Sequence, residues 1–140
     1  MSKVNVIYWS GTGNTETMAE AVGQGIEKAG FQANVVSVDN VSVDLLEGAN
    51  IFALGCPSMG GEELEEDSME PFVKQLESKV SGKKILLFGS YDWGDGEWMR
   101  NWTERMENAG AIVTDSIIVN NAPEASHILE CQIAGENLVK

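Results

Sequence analysis

The chain has 140 residues, enough for a substantial core, and we predict a single domain spanning residues 1–140. Its 22 acidic and 9 basic residues give a formal net charge of −13, which argues against nucleic acid or an anionic membrane as a partner. Such a surface favours protein partners with a basic patch, although solubility alone would also account for the charge. No apolar run approaches the length of a membrane span.

The start of the chain and its cysteines bear on location. Met1-Ser2-Lys3 leads directly into an apolar run, so we expect no signal peptide and a cytoplasmic protein. Cys56 and Cys131 are neither closely spaced nor accompanied by a histidine cluster. We therefore expect free thiols rather than a disulfide, a metal site or a redox pair.

His127 is the only histidine, and we expect it on a helix surface.

Short apolar runs alternate with helical patterns along the chain. The runs, which predict five strands, are residues 4–9, 33–38, 51–54, 85–88 and 112–119. The helical patterns are residues 15–29, 69–76, 97–109 and 125–139, with at most a short turn of helix at 42–46. Gly30 and Gly110 each follow a helical pattern directly, where they are predicted to cap the helix at its C-terminus.

The order of these elements predicts the fold. The strands are nearly continuously apolar, as expected when helices cover both faces of a sheet. Repeated alternation of strand and helix predicts an α/β fold, a doubly wound five-stranded parallel sheet with helices on both faces. Ligands of such sheets bind beyond the carboxyl ends of the strands, where the strand order reverses. Three loops are expected to converge there, at residues 10–15, 56–67 and 90–95.

The first of these loops has the composition of a phosphate-binding turn and reads Ser10-Gly11-Thr12-Gly13-Asn14-Thr15. Two glycines permit a tight turn that exposes backbone N–H groups, and the following helix directs its positive dipole end at the loop. Asn14 stands where a Walker motif has its lysine, and the third glycine of the dinucleotide fingerprint is absent. These features favour one terminal phosphate monoester, with a bare strand-to-helix turn as the alternative.

The third-strand loop contains groups suited to a flat ring and reads Gly55-Cys56-Pro57-Ser58-Met59-Gly60-Gly61-Glu62. Met59 is a soft apolar group able to lie against a ring, and the two adjacent glycines form a peptide unit that rotates at little steric cost. Glu62 is a carboxylate able to accept a hydrogen bond from a ring N–H. Each residue also has a simpler interpretation, as packing, a turn or a solvated face.

The fourth-strand loop is aromatic and rich in glycine, and reads Gly89-Ser90-Tyr91-Asp92-Trp93-Gly94-Asp95-Gly96. An aromatic residue between glycines at a strand end is suited to stacking on a planar ligand. Backbone N–H groups near Gly94 are placed to meet carbonyl oxygens of that ligand. Trp98 and Trp102, at helical spacing, are predicted to pack in the core. Trp9 is predicted either to cover the phosphate loop or to bury the strand end.

These three loops together resemble those of the short-chain flavodoxin family, and the resemblance covers essentially the whole chain. The three motifs occur in the same order and on the same elements as in the family. The fifth strand runs on without a long insertion, which fits the short-chain rather than the long-chain subgroup. The resemblance implies the strand order 2-1-3-4-5, FMN as the cofactor and an electron-transfer protein rather than an enzyme.

The resemblance also implies roles for individual residues. The FMN phosphate is expected on the amides of the first loop and on the side chains of Ser10, Thr12, Asn14 and Thr15. The ring is expected between Met59 and Trp93, with Glu62 on its N3–H and the backbone of Asp92 and Gly94 on its pyrimidine side. The other expected cofactor-binding residues are Gly11, Gly13, Pro57, Ser58, Gly60, Gly61, Ser90 and Tyr91.

Three further family features concern single positions. The peptide corresponding to Gly60–Gly61 flips on one-electron reduction, so that the Gly60 carbonyl accepts a hydrogen bond from N5–H of the neutral semiquinone. Pro57 stands where some relatives have a serine that offers the phosphate another hydroxyl. Asp92 occupies a position that is often glycine.

Acidic residues in the two ring-flanking loops, or just beyond them, predict a low potential. They are Glu62, Glu63, Glu65, Glu66, Asp67, Asp92, Asp95 and Glu97, and we expect no cation at this rim. One carboxylate about 10 Å away costs an added electron roughly 0.4–0.8 kcal/mol at an effective dielectric of about 40–80, which is roughly 17–35 mV. We therefore predict a one-electron carrier that cycles mainly between neutral semiquinone and anionic hydroquinone and works in place of ferredoxin.

The predicted partners, by family resemblance, are ferredoxin-using oxidoreductases with basic docking patches, and the small acidic form predicts a monomer.

The alternative function is an FMN-dependent NAD(P)H reductase of quinones or nitro compounds. This function is disfavoured because the sequence shows no nicotinamide-binding segment and no arginine near the rim. A receiver-type signalling domain is disfavoured because the first strand does not end in clustered acids. A hydrolase is disfavoured because neither Ser10 nor Ser90 lies in a nucleophile-elbow pattern.

Overall fold

A computed structural model describes residues 3–140, so Met1 and Ser2, which bear on the expected lack of a signal peptide, lie outside the described residues. The described chain forms a parallel sheet with the order β2-β1-β3-β4-β5, which confirms the predicted doubly wound fold. Its strands are β1 (Lys3–Tyr8), β2 (Gln32–Ser37), β3 (Ile51–Gly55), β4 (Lys84–Tyr91) and β5 (Ile112–Asn120).

Helices cover both faces of this sheet. They are α1 (Asn14–Lys28), α2 (Met69–Leu76), α3 (Glu97–Asn108) and α4 (Ala125–Leu138), with 3₁₀ turns at Val38–Asn40 and Val43–Leu46. One core cluster lies between the sheet and α1 with α4, and the other between the sheet and α2 with α3. Trp98 and Trp102 are fully buried in the second cluster, as predicted. Within residues 3–140 no helix is long and apolar enough to span a membrane.

Glycines end two of the helices, as the sequence predicts. Gly30 follows α1 with a left-handed φ of 95°, and its amide donates to the Glu27 carbonyl at 3.0 Å. The Phe31 amide then donates to the Ile26 carbonyl at 3.3 Å, which completes a Schellman motif. Gly110, with a φ of 98°, ends α3 in the same way. These caps direct the chain from each helix into the next strand.

The end of β4 differs from the prediction. Ser90 and Tyr91, expected in the loop after the fourth strand, are the last two residues of β4 and pair with Val119 and Asn120 of β5. The pairing with β3 stops at Phe88, but β5 is nine residues long, and its backbone groups continue the ladder. The loop after β4 therefore starts at residue 92, and the strand itself carries Ser90 and Tyr91 to the carboxyl edge of the sheet.

Both cysteines are buried free thiols, as predicted. Cys56 belongs to the core on the α2 and α3 side of the sheet, whereas Cys131 belongs to the core on the α1 and α4 side. Burial raises the pKa of each thiol to about 12, so both stay protonated and unreactive at neutral pH.

His127 has a more specific position than the helix surface that the sequence predicts. Its Nδ1 accepts a hydrogen bond from the Glu124 amide at 3.0 Å, and the Glu124 side chain accepts one from the His127 amide. The two residues form a reciprocal capping box at the start of α4. His127 is thus a structural residue of the helix start.

Candidate functional site

Three loops meet at the carboxyl edge of the sheet, where the strand order reverses. A cavity of about 140 Å³ lies between them. It is lined by Trp9, Gly11, Thr12, Pro57, Ser58, Met59, Ser90, Tyr91 and Asp92. Every lining residue except Trp9 belongs to the predicted set of cofactor-binding residues. The predicted convergence of the three loops is therefore confirmed.

Trp9 is the lining residue that the predicted site omits. It packs against the core on the α2 and α3 side, and a Cβ built on Gly11 would lie 3.1 Å from its ring. Trp9 therefore contacts the core and also flanks the first loop. It also lines a second cavity of about 350 Å³, together with Met59, Gly60, Glu63, Leu64, Glu65, Glu66 and Asp67. The available signal was an aromatic residue placed directly between the first strand and the phosphate motif.

The loop from β1 to α1 curls around the hydroxyl of Ser10. Ser10 Oγ accepts hydrogen bonds from Gly13 N at 3.1 Å and Glu16 N at 3.3 Å. Because both bonds use oxygen lone pairs, the hydroxyl proton of Ser10 is free to donate to an anion. Gly13, with a φ of 97°, is the N-cap of α1 and offers no side-chain acceptor. The first turn of the helix therefore opens onto the loop.

That first helical turn supplies backbone donors. The amides of Asn14 and Thr15 have no acceptor within α1, because the first N–H groups of a helix lack intrahelical partners. The Thr17 amide differs, since it donates to the Gly13 carbonyl at 3.0 Å. The loop contains no lysine or arginine, so the helix dipole supplies the positive potential. The result is a neutral cradle of amides and hydroxyls suited to one phosphate.

Thr15 and Ser90 link the first loop to the end of β4. Their hydroxyl oxygens lie 3.0 Å apart, and both side chains are buried. One hydroxyl proton makes this bond, which leaves the other proton able to donate elsewhere. Ser90 lines the cavity, whereas Thr15 is its hydrogen-bonding partner from α1. The structure thus brings together two predicted site residues that are 75 positions apart in the sequence.

The loop after β3 forms a small hairpin at residues 59–63. Met59 and Glu63 exchange two backbone hydrogen bonds of 2.8 Å each, which close the hairpin at its base. Gly60 has a φ of 50° and Glu62 a φ of 59°, whereas Gly61 is outside the left-handed region. A Cβ built on Gly60 or Gly61 would have no other heavy atom within 4 Å. The tip is therefore open, and its central peptide has room to rotate.

Glu62 joins the loop after β3 to the loop after β4. Its Oε1 accepts a hydrogen bond from the Glu97 amide at 3.0 Å, at the first residue of α3. The carboxylate also lies against Gly94, whose φ is 90°, so that a Cβ built there would be 2.6 Å from Glu62 Cδ. The second carboxylate oxygen is left to accept from a ligand. Glu62 and Gly94 are thus in contact, although they belong to different loops.

Two aromatic residues at the loop after β4, Trp93 and Tyr91, differ in exposure. Trp93 is 61% exposed, which suits a stacking face. Tyr91 instead packs against Trp98 with ring centroids 5.5 Å apart, and it forms a wall of the cavity. Outside glycine, the positive φ values within residues 3–140 occur at Glu62 and Asn121. Asp92 therefore adopts an ordinary backbone conformation without the glycine that is common there.

Two asparagines, one the last residue of β5 and the other directly after it, support the loop after β4, and the sequence reasoning missed them. The Asn121 amide donates to the Tyr91 carbonyl at 2.8 Å, and Asn120 Nδ2 donates to the same carbonyl at 3.2 Å. Asn121 has a left-handed φ of 63°, a conformation that asparagine tolerates better than most residues. The Asn-Asn pair at a strand end was the available sequence signal.

The acidic rim differs from the prediction in two ways. Arg100 lies against Asp95, with Nη2 3.0 Å from Oδ1, so the expectation of a rim without a cation or a nearby arginine is wrong. The first turn of α3 brings residue 100 back over residue 95. Glu65 is also buried rather than part of an exposed rim. The Arg100–Asp95 pair is exposed on both sides, so it screens little of the remaining negative charge.

Comparison with known proteins agrees with this geometry. The family model described as Flavodoxin matches residues 6–135. The flavodoxin of Clostridium beijerinckii is 48% identical over 122 residues, covering 86% of this chain and 88% of that protein. The flavodoxin of Megasphaera elsdenii is 44% identical over 137 residues, covering 98% of both chains.

Solved structures give the same result. The solution structure of two-electron reduced Megasphaera elsdenii flavodoxin superposes with a TM-score of 0.89 at 44% identity and covers 96% of this chain and 97% of that one. The structure of a flavodoxin from the domain Archaea has a TM-score of 0.87 at 31% identity, covering 97% and 95% of the two chains. The chain therefore belongs to the flavodoxin family and is an electron-transfer protein, not an enzyme, whose cofactor is FMN.

Proposed function

We propose that this flavodoxin is a low-potential one-electron carrier that cycles mainly between the neutral semiquinone and the anionic hydroquinone of FMN, in place of ferredoxin. The observation that carries this proposal is the contrast between two parts of the site. The phosphate cradle is neutral and built from amides, whereas exposed carboxylates surround the two loops that would flank the ring. Such a site favours binding of the cofactor but resists the negative charge that a second electron would bring to its ring.

The residues present fit FMN. The open first turn of α1 and the inward hydroxyl of Ser10 would hold the phosphate, together with Thr12, Asn14 and Thr15. Gly11 and Gly13 permit the close approach of the backbone, and the cavity walls at Pro57, Ser58, Ser90 and Tyr91 extend from this cradle. A bulky side chain at Gly11 would meet the Trp9 ring, so the cradle depends on glycine there.

The flavin ring would lie between Met59 and the exposed Trp93. Glu62 is already fixed by the Glu97 amide, and its second oxygen would accept the ring N3–H. The backbone of Asp92 and Gly94 would face the pyrimidine side of the ring. The Gly60 carbonyl, at the open hairpin tip, would turn toward N5–H on one-electron reduction.

The charge of the protein supports the proposed direction of the potential. In the proposed cycle, a second electron would leave negative charge on the ring of bound FMN. Glu63, Glu66 and Asp67 are exposed and line the cavity beside Trp9. Their field opposes that second electron by Coulomb repulsion, and added salt weakens the effect.

The redox partners of the family are oxidoreductases. We propose that the partners of this chain are ferredoxin-using enzymes with basic docking patches, because a net charge of −13 favours encounter with positive surfaces. We also propose that the carrier is a monomer, acts in the cytoplasm and consists of the one domain at residues 1–140.

Stepwise reduction of the FMN-loaded protein under anaerobic conditions tests the proposed cycle. We expect the yellow protein to turn blue near half reduction and to bleach on complete reduction, with the second midpoint potential well below the first. A direct two-electron conversion from yellow to colourless would contradict the proposed one-electron cycle. Free FMN in the same buffer is the control, because its one-electron form does not accumulate without the protein.

The Gly61→Val substitution is expected to lower the yield of the blue one-electron form. Rotation of the peptide between residues 60 and 61 changes φ of Gly61 by about half a turn, into the left-handed region that a β-branched residue resists. A strain of about 1–2 kcal/mol lowers the formation constant of this form roughly tenfold. Absorbance at half reduction measures the yield, and Gly61→Ala should give a smaller decrease. An unchanged yield in Gly61→Val would refute this account of the hairpin tip.

A further inference from the structure

Glu65 is a buried carboxylate that the proposed cofactor contacts leave unused. It is 6% exposed, although the adjacent Glu66 is exposed. Its oxygens accept hydrogen bonds from the amides of Asp67 and Ser68 at 2.8 Å and of Met69 at 2.9 Å. Burial removes the hydration of a carboxylate, and these three charge-assisted bonds replace it. The side chain therefore ties the end of the third loop to the start of α2.

The backbone of Glu65 is fixed as well. Its amide donates to Cys56 Sγ at 3.4 Å, and its carbonyl accepts from the Glu70 amide at 2.8 Å. The Glu70 carboxylate in turn pairs with Arg105 of α3 at 2.6 Å. Glu65 is thus connected to the residue that follows β3, to α2 and, through Glu70, to α3.

Glu65 lies two residues beyond the hairpin that holds Gly60 and Gly61. The closing pair of that hairpin, Met59 and Glu63, makes two 2.8 Å bonds, and buried Leu64 separates it from Glu65. Cβ atoms built on Gly60 and Gly61 would meet no other heavy atom within 4 Å, whereas the base is held by the Met59–Glu63 pair on one side and by Glu65 on the other. Rotation of the tip peptide therefore leaves the rest of the loop in place only while the base stays fixed.

We propose that Glu65 is a positioning residue for the Gly60–Gly61 peptide, an inference that rests on the proposed one-electron function. By fixing the base of the hairpin, it keeps the Gly60 carbonyl within reach of the flavin in the one-electron-reduced protein. Its carboxylate is bound by the amides of residues 67–69 at the start of α2, so it acts mainly on the position of the hairpin, whereas the exposed rim charges act on the potential of the ring. Loss of Glu65 would let the hairpin move as a unit and weaken the bond that the rotated peptide makes.

A comparison of FMN-loaded Glu65→Gln and Glu66→Gln tests this role, because the two variants lose the same charge at adjacent positions. In Glu65→Gln we expect the formation constant of the blue one-electron form to fall about tenfold, since charge-assisted bonds to backbone amides are weakened. In Glu66→Gln the constant should fall only about two- to fourfold, because the loss of one exposed rim charge shifts the second potential by roughly 17–35 mV. Equal changes in both variants, or no change in Glu65→Gln, would overturn the proposal.

Amide hydrogen exchange of the FMN-free protein gives a second readout. Glu65→Gln should speed exchange at residues 67–69 and at the hairpin amides of Met59 and Glu63, whereas Glu66→Gln should not. Faster exchange combined with an unchanged formation constant would show a purely structural role and refute the proposal. If Glu65→Gln does not fold, Glu65→Asp keeps the charge on a shorter side chain and should still lower the constant. A wild-type protein that binds FMN without any blue form would instead refute the proposed function.

Discussion

Gly94→Ala is expected to weaken FMN binding about 100-fold. At a φ of 90°, alanine adds a backbone strain of roughly 1–2 kcal/mol. Its Cβ would also lie 2.6 Å from Cδ of Glu62, so the carboxylate must move. Glu62 would then lose its bond to the Glu97 amide and its proposed bond to the ring, a further cost of about 1.5–3 kcal/mol. A total of about 3 kcal/mol corresponds to the stated change in affinity.

Titration of the FMN-free protein with FMN, followed by quenching of flavin fluorescence, measures this effect. Gly48→Ala is the matched control, because its φ of 79° imposes a similar backbone strain in open space just before β3, at the edge of the sheet opposite the cavity, and oxidised FMN should bind it as it binds wild type. Thermal unfolding of each FMN-free variant checks that the protein is folded at the titration temperature. An affinity of Gly94→Ala within threefold of wild type would contradict the assigned contact between Glu62 and Gly94.

Neutralisation of the exposed rim is expected to raise the second midpoint potential by roughly 50–100 mV in the triple variant Glu63→Gln, Glu66→Gln and Asp67→Asn. Each carboxylate at about 10 Å contributes roughly 17–35 mV at an effective dielectric of about 40–80. Glu65 is left unchanged because it is buried and hydrogen bonded to the amides of residues 67–69, so its substitution would mix electrostatics with loop structure. A spectroelectrochemical titration at low salt gives the potential, and the shift should shrink at high salt.

A second triple variant separates the local field from net charge. Asp44→Asn, Glu47→Gln and Glu107→Gln remove the same number of charges, from residues that are all exposed. The first two lie just before β3 and the third lies at the end of α3, so all are at the edge of the sheet opposite the cavity. We expect a much smaller shift for this variant. Equal shifts in the two triple variants would contradict a local origin of the low potential.

Much of the site could be predicted because its signals are local in the sequence. The glycines and hydroxyls of residues 10–15 encode a turn before a helix, and the Gly60-Gly61 pair encodes a flexible tip. Continuous apolar runs fix the strands, and parallel strands bring their carboxyl ends together. The cavity is accordingly lined almost entirely by residues of the predicted loops. The comparisons with known flavodoxins agree with the family inferred from those same motifs.

Other features depend on partners that are distant in the sequence. Ser90 and Tyr91 became strand residues because β5 continues the ladder beyond the end of β3. The Thr15–Ser90 bond joins groups that only the fold brings together. Arg100 reaches Asp95 because a helix starts between them, which composition alone does not show.

The sequence by itself determined the parallel α/β fold, the three loops and the sign of the charge around them, since strand period, glycine position and composition are properties of short segments. Only the tertiary structure decided which acids remain exposed. Glu65 and Glu66 are adjacent and chemically identical, yet the first is buried against the three amides of residues 67–69 at the start of α2, and the second faces solvent. Burial depends on what packs above a residue, and that is settled by contacts between segments rather than within one.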